Sequence, residues 1–143
     1  MSHYIKSSYL CSVLDKRRFS AALKKAKIKL KGIKFDSIVV TGNSGTIFGG
    51  ALAYTLKKSL ILIRKKGVDS HSWRVVEGNT NCKKWIFVDD CVCSGNSRDR
   101  SGRWMKTFCP FATYMGIYLY NDNKYLPPTN YMAELKCQEE TLN

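Results

Sequence analysis

Apolar positions along this chain recur in two rhythms, and the rhythms alternate. Tyr4, Ile5, Tyr9, Leu10, Val13 and Leu14 have helix-compatible spacing. Phe19, Leu23, Ala26 and Leu30 then follow at intervals of four, three and four, which is one apolar stripe on a helix. Lys24, Lys25, Lys27, Lys29 and Lys31 cover much of its remaining surface, and Gly32 is a plausible stop. Phe35 to Val40 reads as a strand, ending in Thr41-Gly42-Asn43-Ser44-Gly45-Thr46. A helix is expected from about Ile47 to Lys57, apolar nearly all round and so buried. Gly49 and Gly50 cost that helix about 1 kcal/mol each relative to Ala, so close packing on a strand or a second subunit should compensate. Ser59 to Ile63 is another apolar strand. Residues 67–83 are polar and short of long apolar runs, an excursion with Trp73-Arg74-Val75-Val76 as one arm of a hairpin. Trp85 to Val88 is a buried strand, Arg98 to Phe108 a helix closed by Cys109-Pro110, and Tyr114 to Tyr120 a last clear strand. A short helix is expected near Tyr131–Cys137. Strands and helices in alternation predict an α/β fold: a single domain over residues 1–143, with a mainly parallel sheet flanked by helices.

Composition agrees with a globular domain. The chain has 143 residues, 44% hydrophobic and 12% aromatic, enough for a proper core. No apolar run approaches the length of a membrane span, and the start lacks the apolar core of a secretory signal. Six Cys and two His include no Cys-x-x-Cys pair, which argues against a zinc site. Cys91 and Cys93 flank one residue in extended chain, where a bridge would be strained. Reduced thiols in a cytoplasmic compartment are the expectation. The net charge is +13, and residues 1–34 hold ten Lys/Arg against one acid, Asp15. That basic segment suits nucleic acid or another polyanion. It equally suits a solvated helix face on a protein that binds anionic donors.

The chemistry concentrates in Trp85-Ile86-Phe87-Val88-Asp89-Asp90-Cys91-Val92-Cys93-Ser94-Gly95-Asn96-Ser97. A buried strand runs into two adjacent acids, then into small residues ahead of a helix. In parallel α/β sheets ligands sit at the carboxyl ends of strands. Small residues before a helix expose backbone N–H groups that favour phosphate. Asp89 and Asp90 could there grip hydroxyls or hold magnesium beside phosphates. The same residues also suit a plain strand, acidic turn and helix cap. Residues 41–46 form a second small-residue stretch at a strand end, pointing at the same site.

The 85–97 stretch resembles the phosphoribosyl-pyrophosphate signature of the type I phosphoribosyltransferases: four apolar residues, two acids, a few small or apolar residues, then Thr-Gly-Gly-Thr or a variant. Cys91 and Cys93 stand where Val, Leu, Ala or Thr are usual, and Asn96 replaces Gly. The span 36–66 is similar to the adenine-type enzymes, with Phe48-Gly49, Leu52-Ala53 and Ile63-Arg64-Lys65 in register. The resemblance implies a twisted mainly parallel sheet with a short hood, and roles for each matching residue. Asp89 and Asp90 would hold the ribose hydroxyls. Cys93, Ser94, Gly95, Asn96 and Ser97 would wrap the 5′-phosphate. Thr41, Gly42, Asn43, Ser44 and Gly45 would bind pyrophosphate through backbone N–H groups. Arg64 and Lys65 would lie near the pyrophosphate, where residues 67–83 form a closing loop. Magnesium would be carried by the donor, reached by Asp89 or Asp90 through water. The helix holding Gly49 and Gly50 would lie at a homodimer interface.

Two departures matter. Ser44 stands where adenine-type enzymes place Arg. Cys93 stands where enzymes for 6-oxopurines place Asp, which disfavours hypoxanthine and guanine. The resemblance therefore implies transfer of ribose 5-phosphate from phosphoribosyl pyrophosphate to a nucleobase, adenine-like in preference, with release of pyrophosphate. The competing expectation is a regulator or a phosphoribosyl-binding protein on the same fold, with nucleic acid held by the basic N-terminal 34 residues.

Overall fold

A computed structural model describes residues 10–65, 75–91 and 96–128. Six strands form one sheet in the order β3-β2-β1-β4-β5-β6. They are β1 (Ser37–Val40), β2 (Ser59–Ile63), β3 (Val76–Gly78), β4 (Lys84–Asp89), β5 (Thr113–Leu119) and β6 (Lys124–Leu126). The inner four are parallel, and β3 and β6 add antiparallel edges. Helices α1 (Cys11–Leu14), α2 (Lys16–Lys29), α3 (Gly42–Leu56) and α4 (Asn96–Phe108) complete the described elements. None of them is long and apolar enough to cross a membrane.

Alternation along the strands divides the core in two. Ile38, Val40, Ile86, Val88, Tyr118 and Tyr120 face α2 and α3, meeting Ala26, Leu30, Phe48 and Leu52. Val39, Ile61, Ile63, Phe87, Ile117 and Leu119 face the other way, toward Met105 and Cys109 at α4. Strands covered on both sides need apolar residues at every position, which is why β1 and β4 read as unbroken apolar runs. At the amino edge, the Asp36 carboxylate accepts hydrogen bonds from the backbone of Lys83 (2.9 Å) and Lys84 (2.8 Å). This fastens the entry of β1 to that of β4.

Three sequence expectations change. Residues 42–46 are the first turn of α3, not a loop ahead of a helix starting near Ile47. The apolar stripe misses this turn because it packs on the tip of β4 through the bare backbone of Gly45, not through apolar side chains. Strand β6 was not expected, since three residues after a polar turn carry no periodicity. Asn123 adopts φ +48° in that turn, and Tyr118 Oη donates to its side chain at 2.7 Å. The expected hairpin arm at 73–76 is met in the described residues by edge strand β3, three residues further along at Val76–Gly78, which pairs Val76 with Ile63. Residues 4–9, Trp73, Arg74 and the helix expected near Tyr131–Cys137 lie outside the described residues.

Gly49 is explained by packing. A Cβ there would stand 2.2 Å from Val40 Cγ1, so α3 approaches β1 as closely as a bare backbone allows. Gly50 is different. A Cβ there would meet only Leu60 Cδ2, at an ordinary 3.9 Å.

Candidate active site

The chain turns from β1 through α3 to β2 on one side, and from β4 through α4 to β5 on the other. The boundary between β1 and β4 is therefore the topological switch point, where a crevice opens at the carboxyl edge. Asp89 is the last residue of β4, and Asp90 follows it. Asp89 Oδ1 accepts from the Asp90 backbone N–H at 2.9 Å, and Asp90 Oδ1 accepts from that of Cys91 at 2.8 Å. Both carboxylates are thus fixed by the turn itself. Burial pushes the Asp89 carboxyl up to about 7, helped by a side-chain hydrogen bond with Asp90 and by that neighbour's charge, and opposed by the bond from the Asp90 backbone N–H. The Lys65 ammonium pulls the other way without cancelling burial.

The start of α3 faces these acids. Thr41 is its cap in extended conformation, 3% exposed, and its hydroxyl makes no cap bond and has no partner among the described residues. Gly42 adopts φ +74°, and a Cβ there would stand 3.2 Å from Lys65 Cε and 3.3 Å from its Nζ. Lys65 therefore lies against the first turn of α3. A Cβ at Gly45 would stand 3.3 Å from the Val88 carbonyl and 3.7 Å from Asp89 Oδ1. The small residues at 42 and 45 let the positive end of a helix come down on the tip of β4. The result is a crevice with a helix N-terminus and an ammonium on one wall and a carboxylate pair on the other. Such a place suits a ligand that presents both anionic oxygens and hydroxyls.

The structure brings together Asp89, Asp90, Lys65 and the residues of 41–45. It does not bring Arg64 to them. The Arg64 guanidinium is ion-paired with Glu77 of β3 at 3.2 Å, and its carbonyl accepts from Arg100. Asn96 and Ser97 open α4, while Cys93, Ser94 and Gly95 lie outside the described residues. Among the described residues no three His, Cys, Asp or Glu side chains cluster to hold a metal. The carboxylate pair can contribute to a magnesium site only together with oxygens brought by a ligand.

Tyr120 is a site residue that the sequence reading passed over. It follows β5, stacks on Phe48 with ring centroids 4.1 Å apart, and lies beside Ser44, Asp89, Asp90 and Cys91. Strand alternation puts it on the face of Tyr118. Nothing in one sequence says that its hydroxyl lies beside Ser44 and within reach of the acids' charge.

No protein-family model matches the chain. It is 49% identical over 94 residues to an adenine phosphoribosyltransferase of Thermosipho melanesiensis, covering 55% of this chain and 54% of that one. The chain spans about half the length of the curated relatives it matches. Among solved structures, an adenine phosphoribosyltransferase from Thermoanaerobacter pseudethanolicus superposes with TM-score 0.60 at 21% identity, over 75% of this chain and 70% of that one. An orotate phosphoribosyltransferase from Aeropyrum pernix gives 0.61 at 17% identity, over 76% and 61%. The chain has the type I phosphoribosyltransferase fold. Its sequence likeness is to the adenine-type branch, as the residues of 41–67 and 85–97 suggested. The phosphoribosyltransferase fold here has an antiparallel edge on both sides of its four parallel strands, and its carboxyl-edge crevice holds the paired acids.

Proposed function

We propose that this chain is a phosphoribosyltransferase that transfers ribose 5-phosphate from phosphoribosyl pyrophosphate to a nucleobase, adenine in preference, releasing pyrophosphate. The observation that carries this reading is the meeting of two adjacent carboxylates with an ammonium and a helix start at the switch point. In the transfer, the bond from the ribose C1 to the pyrophosphate oxygen breaks as a base nitrogen approaches C1, and positive charge spreads over the ring. Asp89 and Asp90 hold the ribose hydroxyls and so fix the ring against motion. The N–H groups of residues 42–45 and the Lys65 ammonium take up the charge of the departing pyrophosphate. Magnesium, when bound on the donor beside the carboxylates, supplies further neutralisation of that charge. The 5′-phosphate is assigned to Cys93, Ser94, Gly95, Asn96 and Ser97, of which Asn96 and Ser97 open α4. Arg64 joins the site only by leaving Glu77.

In this reading the working protein is a homodimer. The outer face of α3 supports this, since Ile47 is 41% and Tyr54 88% exposed on it. The test of function is release of pyrophosphate from phosphoribosyl pyrophosphate in the presence of adenine, hypoxanthine, guanine or orotate. Adenine should support turnover, and Asp90→Asn should abolish it. Absence of release with every base would sink the transferase reading.

One observation favours a second reading, a regulator on this fold that binds nucleic acid. Lys16, Arg17, Arg18, Lys24, Lys25, Lys27 and Lys29 are all exposed on α2. Binding would weaken steeply with salt, and charge reversal at Lys24, Lys25 and Lys27 would remove it while sparing donor binding.

A further inference from the structure

Tyr120 has no part in the reaction as derived so far, yet its surroundings are specific. The residue is 4% exposed, and its hydroxyl has no hydrogen-bond partner among the described residues. Leaving a buried hydroxyl unpaired is unfavourable, and Phe would fill the same space without that cost. The ring is held rigidly. It stacks on Phe48 at 4.1 Å and 20°, and the Tyr120 backbone N–H donates to the Asp89 carbonyl at 3.0 Å. Phe48 lies one helical turn after Ser44, so a ring stacked on Phe48 carries its hydroxyl up toward Ser44 at the start of α3. The Ser44 hydroxyl lies beside it, close enough to alter its proton affinity but outside hydrogen-bonding geometry. Burial raises the phenol to about 12, with Ser44 opposing and the charges of Asp90 and Asp89 adding. At neutral pH the group is therefore a proton donor and never a phenolate.

Position 44 is also where the adenine-type resemblance expects Arg and this chain has Ser. The loss of a cation there coincides with a phenol delivered to the same spot from β5. Thr41, 3% exposed with its own hydroxyl unpaired, caps the same helix start. The hydroxyls of Ser44 and Tyr120 thus lie together where the anionic end of a donor would lie.

We propose that Tyr120 is a donor-binding residue, whose hydroxyl, paired with that of Ser44, hydrogen-bonds the pyrophosphate group and stands in for the missing Arg. The inference rests on the phosphoribosyltransferase reading above. A neutral donor pair would hold pyrophosphate less tightly than a guanidinium but adds no charge beside Lys65.

The test is titration calorimetry of wild type, Tyr120→Phe and Ser44→Ala with three ligands in magnesium buffer: phosphoribosyl pyrophosphate, pyrophosphate and ribose 5-phosphate. Tyr120→Phe keeps the ring on Phe48 and removes one oxygen. It should weaken phosphoribosyl pyrophosphate and pyrophosphate roughly tenfold or more, as loss of a hydrogen bond to a charged group does. Ser44→Ala should act in the same direction. Ribose 5-phosphate should bind both variants as it binds wild type. Urea unfolding of the ligand-free Tyr120→Phe protein should show stability equal to or above wild type, because the hydroxyl removed was unpaired. Unchanged affinity for pyrophosphate in Tyr120→Phe would overturn the inference while leaving the transferase reading intact. Equal weakening of all three ligands with lower stability would overturn it too, since that is the mark of a purely structural role. Wild type that binds no phosphoribosyl pyrophosphate would overturn both.

Discussion

Asp89 carries the most unusual residue-scale property of the molecule. Its carboxyl, ordinarily at 3.8, is raised to about 7 chiefly by burial. Between those two values the folded chain holds a proton that the unfolded chain has released. The stability associated with the neutral form is thus fully present below about pH 4 and is lost as pH rises to about 7. Asp89→Asn keeps an oxygen that can accept from Asp90 N–H and cannot ionise. It should raise the thermal midpoint of the ligand-free protein at pH 8, on the order of several degrees. The gap should close as pH approaches 4. A constant gap across that range would show that Asp89 titrates normally. The same proton bears on function. A donor whose ribose hydroxyls need a carboxylate acceptor should expel it, so binding near pH 7 should release protons. The paired acids were plain in the sequence, and so was their place after a buried strand. The elevated proton affinity was not, because it arises from the burial of one acid beside another and from the distance of Lys65, which only the fold sets.

At the scale of elements, α3 decides the geometry of the crevice. Its two adjacent glycines look alike in sequence and differ in the fold. Gly49→Ala would drive a methyl into Val40, a stiff and fully buried side chain. Overpacking of this kind costs about 1–3 kcal/mol, more than the roughly 1 kcal/mol that Ala returns in helix propensity. Gly50→Ala meets open contact and should stabilise by up to about 1 kcal/mol. Urea unfolding of the two variants should therefore give shifts of opposite sign, and shifts of the same sign would mean that α3 does not rest on β1 as described. The helix itself was legible from Phe48, Leu52 and Ala53. Its first turn was hidden, since Gly42, Asn43, Ser44 and Gly45 carry no apolar signal and read as a loop. That turn forms one wall of the candidate site. The backbone N–H groups expected from a loop come instead from a helix N-terminus, which adds the helix dipole to the same wall. Strand β6 was hidden for the complementary reason, being too short to show a period of two.

On the scale of the whole molecule, the parallel core follows from β1, β2, β4 and β5, each an apolar run bounded by turn residues. Their order was not in the pattern. It depends on β1 pairing with both β2 and β4, which places α3 and α4 on opposite faces and leaves the crevice between them. Of the two stretches singled out from the sequence, 41–46 and the described part of the other, 85–91, meet at that boundary because parallel strands put both of their carboxyl ends on one edge. Arg64 shows where pattern reading stops. Its position after β2 suggested the site, yet its guanidinium pairs with Glu77 across the β2–β3 edge. The sequence suggested a hairpin arm at 73–76, but the register that sets Glu77 beside Arg64, 13 residues apart, could not be read from the chain.

The central claim is that the crevice between β1 and β4 is a phosphoribosyl-pyrophosphate site. Its most direct test is titration calorimetry with that donor, with and without magnesium, on the wild type and on the double variant Asp89→Asn/Asp90→Asn. The predicted result is magnesium-dependent binding by the wild type, lost in the folded double variant. A folded wild-type protein that binds no donor, or a double variant that binds it equally well, would contradict the claim.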